Sequence, residues 1–351
     1  MVEFVKFRYR LYKVLYLTLA VFLFAFFSSL VSPRVYAFAD VETFKGRAYV
    51  VMESDSLRVL SAMNEERIKE PASTTKILTA ICVLENADIE KSIEIPKAAV
   101  GVEGSSIYLK EGEKWRIKDL IYGLMTRSGN DAAVALAIAT SGSVEKFVDL
   151  MNATAFKAGA FSSRFDNPHG LHSPNHYVTA KDLALITAYA MKNPTFRDIA
   201  SSKSYTFRFG DETRTFVNKN KMLSLYDGAI GVKTGYTKAS GRCLVSAAER
   251  NGLRLICVVL NESDMWGKSM SLLDAAYAEY ENCMVLNGEP FVLNSLSFVT
   301  KPRYYPLKRE EKAALRVEYT VTRSSRAFQE AGYANVWIGD RLIFCEKVYT
   351  I

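Results

Sequence analysis

Runs of apolar residues, broken by short polar stretches, divide the chain into predictable pieces. Ala48-Tyr49-Val50-Val51-Met52 reads as a strand, Glu53-Ser54-Asp55-Ser56 as a turn, and Leu57 to Ala62 as a returning strand. The nearly unbroken apolar run Ile77 to Leu84 predicts a buried helix, starting at Pro71-Ala72-Ser73-Thr74-Thr75-Lys76. Ile117 to Met125 is apolar on a helical period, and Ala132 to Ala139 is an alanine-rich buried helix. Between them lies Thr126-Arg127-Ser128-Gly129-Asn130-Asp131, whose small polar residues suit an interhelical connection. Val144 to Ala158 and Thr179 to Met191 are further helices, the second with Thr179 and Asp182 in capping-box-like spacing. Residues 201–216 alternate and read as extended, and Asn218-Lys219-Asn220-Lys221 is a polar break. Gly228 to Thr237 reads as a strand with glycines at points of close approach. Cys243 to Ala248 and Leu253 to Leu260 are strands joined through Asn251-Gly252, and Asp264 to Tyr280 is helical.

Two early strands therefore precede a long helical insertion, three late strands and a closing helix. An isolated hairpin is marginal in water, so the early strands must pair with the late ones. That pairing brings Lys233 near Ser73. The expected architecture is α+β: an antiparallel sheet flanked by helices, over residues 40–285. From Leu286 the pattern changes. Phe298-Val299, Leu315 to Val321, Ala334 to Ile338 and Leu342 to Tyr349 are short and strand-like, which predicts a small all-β domain over residues 286–351.

Composition changes this picture at the N-terminus. Lys6, Arg8, Arg10 and Lys13 precede an uncharged stretch from Val14 to Val31, and Val35-Tyr36-Ala37 has the small residues of a signal-peptidase site. Residues 1–37 are expected to be a signal peptide, or an anchor if Val14 to Val31 is retained. Either way the folded part is expected outside the cytoplasmic membrane. The net charge of +7 shrinks accordingly: removing the five basic and one acidic side chains of residues 1–37 leaves 40 basic and 37 acidic groups, or +3. That gives little support for nucleic-acid binding. Five widely spaced cysteines form no C-x-x-C pair and no metal pattern, and their odd number leaves at least one thiol unpaired within the chain. Cys82, Cys243 and Cys257 sit in apolar runs and read as buried small hydrophobes.

The candidate chemistry begins at Ser73 and Lys76, which share one helical face at i and i+3. A serine hydroxyl needs a base, and a lysine is a base only when desolvation or cationic neighbours keep it neutral. The apolar run after Lys76 supplies the desolvation. Ser128 and Asn130 fit either a capping turn or a site. All three histidines, His169, His172 and His176, lie in one Pro- and Gly-rich segment. With no H-E-x-x-H helix this segment reads as a hydrogen-bonded loop at the rim of a cleft, with no metal.

Three motifs thus stand in order: Ser73-Thr74-Thr75-Lys76, Ser128-Gly129-Asn130 and Lys233-Thr234-Gly235. With Asn167-Pro168-His169-Gly170-Leu171 and Thr179-Ala180-Lys181-Asp182-Leu183, the chain resembles the serine-type D-Ala-D-Ala carboxypeptidases, the low-molecular-mass penicillin-binding proteins. The resemblance covers residues 40–280 and continues more weakly into the β-rich tail. It implies a cofactor-independent enzyme acting on peptidoglycan stem peptides that end in D-Ala-D-Ala, inhibited by β-lactams. Ser73 would be the nucleophile, Lys76 its base and Ser128 a proton relay. Asn130 would orient Lys76 and a substrate amide. Lys233, Thr234 and Gly235 would bind the peptide end, and the backbone N–H groups of Ser73 and Tyr236 would form the oxyanion hole. Arg242 fits either carboxylate binding or a surface role. A β-lactamase, a D,D-endopeptidase and an inactive wall-binding protein are the alternatives. A class A lactamase is disfavoured by Gly129 in the middle motif, by the lack of a recognisable E-x-x-x-N loop and by the second domain. Members of the family often end in an amphipathic membrane-lying helix, whereas Arg341 to Ile351 alternates like a strand.

Overall fold

The computed structural model describes residues 43–321 and 327–351. The expected export segment, residues 1–37, lies outside the described residues.

Strands β1 (Ala48–Glu53) and β2 (Val59–Met63) form the early hairpin. Strands β3 (Ser92–Glu94) and β4 (Lys114–Arg116) pair as a small ribbon within the insertion. Strands β5 (Ser204–Phe209) and β6 (Glu212–Val217) make a separate hairpin, so the extended stretch predicted at 201–216 turns back on itself. The late strands are β7 (Ala229–Thr237), β8 (Gly241–Arg250) and β9 (Leu253–Leu260). They join the early pair in one antiparallel sheet of order β2-β1-β9-β8-β7. The register Val50↔Val258 and Met52↔Ile256 closes the chain upon itself, as the marginal stability of a lone hairpin requires. This leaves β7 on an edge, with backbone groups open to pairing.

Among the described residues, eight helices accompany this sheet: α1 (Lys76–Asn86), α2 (Ile117–Tyr122), α3 (Asn130–Ser141), α4 (Val144–Lys157), α5 (Ala180–Met191), α6 (Pro194–Ser201), α7 (Met222–Leu225) and α8 (Met265–Glu279). Side chains alternate across a strand, so each sheet face has its own core. One core joins Val50, Val245 and Val258 to α1, α3 and α5. The other joins Leu244, Cys257 and Val259 to Met265, Leu273 and Ala276 of α8. Thr179 caps α5 by accepting the Asp182 N–H at 3.0 Å. Cys82, Cys243 and Cys257 are buried, and all five cysteines are free thiols.

Among the described residues, seven further strands and a short helix form the C-terminal β region. Strand β10 (Tyr280–Leu286) pairs with β13 (Arg303–Lys308). Strands β11 (Phe291–Leu293), β12 (Leu296–Thr300), β14 (Leu315–Val321), β15 (Glu330–Ile338) and β16 (Arg341–Thr350) form a sheet of order β11-β12-β16-β15-β14. Helix α9 (Arg309–Lys312) brings Glu311 to Arg58, which donates two hydrogen bonds to its carboxylate at 2.9 and 2.5 Å and a third to Pro306 O at 2.6 Å. The helix predicted to reach Tyr280 ends at Glu279, and β10 begins at once. Among the described residues, no helix is long and apolar enough to cross a membrane.

Candidate active site

The Ser73 segment is a 3-10 turn, Ala72–Thr75, that runs directly into α1. Its own hydroxyls stiffen it: Thr74 Oγ1 donates to Pro71 O at 2.6 Å and Thr75 Oγ1 to Ala72 O at 2.9 Å. Ala72 has φ 49°, a conformation few side chains accept. Gly170 lies so close that a Cβ there would come within 1.9 Å of Ala72 O. Only a glycine lets the two backbones meet, and its own φ is +90°.

Lys76 is fully buried. Its Nζ lies 3.0 Å from Ser73 Oγ, 2.6 Å from Asn130 Oδ1 and 2.7 Å from His169 O. Burial holds the amine well below its ordinary pKa, and the cation on Lys233 pushes it the same way. Asp131 opposes both. Lys233 is also buried, with Nζ donating to Thr234 O at 3.0 Å. Burial, assisted by Lys219, lowers its pKa to about 7.

Asn130 opens α3, and its side chain is committed at both ends. Oδ1 accepts from Lys76, while Nδ2 donates to Glu103 O. An amide nitrogen carries two N–H groups, so a second donor remains beside the one that serves the 103–109 loop. Asp131 ties the same loop down, accepting from Ser106 Oγ at 2.5 Å, Leu109 N at 3.2 Å and Ile107 N at 3.1 and 3.0 Å. Ser128 sits just before, in the left-handed conformation (φ 66°, ψ 33°), after a π-type turn over Gly123–Arg127.

Gly235 brings the edge strand against Ser73. A Cβ on it would lie 3.1 Å from Pro71 O and 3.2 Å from Ser73 N. The next residue, Tyr236, is 66% exposed. A cleft of about 280 Å³ is lined by Ser73, Ser128, Lys219, Thr234, Gly235 and Tyr236, with Arg242 and Trp266 completing its wall. A larger cavity of about 560 Å³, between Thr43–Gly46 and Glu66–Ile68, contains none of these residues. Volume alone does not mark the chemistry here.

The histidine segment lies only partly at the surface: His172 is exposed, and the chain turns inward at His176. His176 is 2% exposed. Its Nδ1 accepts the Asp166 N–H at 3.0 Å, which leaves Nε2–H to donate to Thr75 Oγ1 at 2.9 Å. The loop is the floor beneath the Ser73 turn. Burial lowers His176 to about pKa 3 and His169 to about 4, so both rings are neutral at pH 7. Among the described residues, no group of His, Cys, Asp and Glu is arranged to hold a metal ion. Asp131, His176 and Lys219 are the contributors that motif reading passed over. Asp131 directly follows Asn130, and Lys219 sits in the polar break before β7, so adjacency was the available signal.

A sequence model of the D-alanyl-D-alanine carboxypeptidase family matches residues 36–264. The chain is 33% identical over 246 residues to the D-alanyl-D-alanine carboxypeptidase DacF of Bacillus subtilis, covering 68% of this chain and 63% of that protein. It is 39% identical over 210 residues to a D-alanyl-D-alanine carboxypeptidase of a Streptomyces species, covering 55% of this chain and 72% of that one. Among solved structures, penicillin-binding protein 5 of Haemophilus influenzae superposes with a TM-score of 0.74 at 26% identity, over 89% of this chain and 98% of that one.

Proposed function

The chain belongs to the D-alanyl-D-alanine carboxypeptidase family, and on that premise we propose that it removes the terminal D-alanine from peptidoglycan stem peptides. The observation that carries this reading is the set of three partners around Lys76 Nζ. A neutral amine has two N–H groups and one lone pair. Asn130 Oδ1 and His169 O can only accept, so they take the two N–H groups. The lone pair is left facing Ser73, the one partner able to donate a proton. These three contacts support Lys76 as the base and Asn130 and His169 as the groups that orient it.

Ser73 Oγ attacks the carbonyl between the two D-alanines as its proton passes to Lys76 Nζ. The negative charge on the carbonyl oxygen is met by the backbone N–H groups of Ser73 and Tyr236, each worth about 3 kcal/mol in such sites. Ser128 passes a proton to the leaving amine. The D-alanine departs, and water attacks the acyl-enzyme to free the shortened peptide and restore Ser73. Lys233 and Thr234 face the terminal carboxylate, and the open edge of β7 pairs with the substrate backbone. β-Lactams would acylate the same serine. The enzyme works outside the cytoplasmic membrane, a placement supported by the basic residues and uncharged stretch of residues 1–37.

The test is D-alanine release from diacetyl-Lys-D-Ala-D-Ala, with penicillin turnover measured alongside. Wild type releases D-alanine and forms one penicillin adduct on the tryptic peptide holding Ser73, and Ser73→Ala does neither. Rapid penicillin hydrolysis without peptide cleavage would show a lactamase instead. Absence of any labelling would show an idle wall-binding protein.

A further inference from the structure

A chain of directed hydrogen bonds runs from the histidine loop to the Ser73 turn. The His176 ring is neutral at pH 7, and its Nδ1 accepts the Asp166 N–H at 3.0 Å, so the one ring proton sits on Nε2. That proton is donated to Thr75 Oγ1 at 2.9 Å. A hydroxyl has a single proton of its own, and Thr75 gives it to Ala72 O at 2.9 Å. The direction of every bond is therefore fixed: Asp166 N–H to His176, His176 to Thr75, and Thr75 to Ala72. His176, Thr75 and Ala72 are all buried, and Phe165 meets the imidazole at right angles, with ring centroids 5.5 Å apart.

The far end of this chain lies on the chemistry. Ala72 C=O and Ser73 N–H belong to one planar trans peptide unit, so they point in opposite directions and turn together. Holding Ala72 O against the Thr75 hydroxyl thus fixes the aim of Ser73 N–H, one of the two oxyanion donors. The unit needs holding, because Ala72 has φ 49°, a conformation that persists only where the surroundings impose it. Such a donor stabilises the transition state only when it points at the position the oxyanion will occupy.

We propose that His176 is a positioning residue: through the Thr75 hydroxyl and the Ala72–Ser73 peptide unit it aims the Ser73 N–H at the reacting carbonyl, without touching the substrate. This rests on the carboxypeptidase reading above for the identity of that carbonyl, and it adds to the acylation step a side chain 101 positions from Thr75 in sequence. Without the Nε2–H donor the Thr75 hydroxyl can turn away from Ala72 O, and the peptide unit loses its restraint. Removing an oxyanion donor outright costs about 100- to 1000-fold, so misaiming one sets the scale at about 10- to 100-fold.

Two amide variants separate this role from a merely structural one. Asparagine carries its amide at the reach of Nδ1, so His176→Asn keeps an acceptor for Asp166 N–H and lacks the donor to Thr75. Glutamine reaches as far as Nε2, so His176→Gln keeps the donor and lacks the acceptor. The experiment measures the rate of Ser73 acylation by fluorescent penicillin, kcat and KM for D-alanine release from diacetyl-Lys-D-Ala-D-Ala, and Tm. His176→Asn should lose about 10- to 100-fold in acylation rate and kcat, with KM little changed. His176→Gln should recover most of that loss, even where its Tm is the lower of the two. Thr75→Val should show the same loss as His176→Asn, and the double variant Thr75→Val/His176→Asn should lose no more than Thr75→Val alone. Equal losses in the asparagine and glutamine variants would overturn the proposal, as would losses that track Tm or that add in the double variant. A wild type labelled by penicillin that releases no D-alanine sinks the carboxypeptidase reading alone, because acylation still reports on Ser73. A wild type that does neither sinks both.

Discussion

Replacing Lys233 with methionine should stabilise the protein and cripple it at once. Lys233 is 2% exposed, and burial lowers its pKa from an ordinary 10.5 to about 7. At ~1.4 kcal/mol for each pH unit of that gap, holding the charge there costs about 5 kcal/mol. The sign follows from proton counts. Below pH 7 the native and unfolded chains both bind the proton, so the native state carries the full cost. Between pH 7 and 10.5 the unfolded chain binds more proton than the native one, so wild-type stability climbs with pH. Methionine fills similar volume without charge, and it forfeits the bond to Thr234 O, worth ~1 kcal/mol. Lys233→Met should therefore be about 4 kcal/mol more stable than wild type at pH 6.5. By pH 10.5 the advantage should vanish or reverse slightly. Urea unfolding at both pH values reads this directly. Lys233 is also the main cation depressing the Lys76 amine, after burial itself. The substitution should move the pH midpoint of fluorescent-penicillin labelling upward and lower its plateau. A variant no more stable at pH 6.5, with the same pH slope as wild type, would refute the reasoning.

Two further outcomes follow from the supports of the site. Gly170→Ala should cost more than about 2 kcal/mol and slow penicillin acylation disproportionately, because its methyl meets Ala72 O and its φ of +90° is strained for alanine. Wild-type Tm and labelling rate would remove the floor contact from the account. Asp131→Asn places an amide where four donors converge, from Ser106 Oγ, Ile107 N, Leu109 N and Ala132 N, so about 2 kcal/mol of stability should be lost. It also deletes the one charge that raises the Lys76 pKa, so the labelling midpoint should move to lower pH. A midpoint that stays put would show that Asp131 acts on the loop alone.

How legible this was depended on what each signal measures. Apolar runs disclosed α1, β8 and β9, because burial on both sides leaves no polar residue to break them. The closing of β1 on β9 followed from the weakness of a lone hairpin. Strand β10 was hidden because only Tyr280, Val285 and Leu286 are buried in it, and Glu281 and Asn282 face outward. Its partner β13 contains Pro306, which argues against a strand in any sequence reading. The histidine loop showed its irregularity, since Pro and Gly punctuate it. Its position did not show, because the burial of His176 comes from Thr75, 101 residues away. The bond from Asn130 to Glu103 was hidden for the same reason: Glu103 lies in a stretch without period, and nothing local ties it to α3.

The pairing of β1 with β9 also governs when this protein first becomes an enzyme. Ser73, Lys76, Ser128 and Asn130 all emerge early during synthesis, yet the platform beneath them waits for residues 253–260. Contacts across such a span form late, because a long loop must close first. An unfinished chain therefore carries Ser73 and Lys76 without the scaffold that desolvates and aligns them. Assembly of the site waits on β9, however early its first two motifs are made.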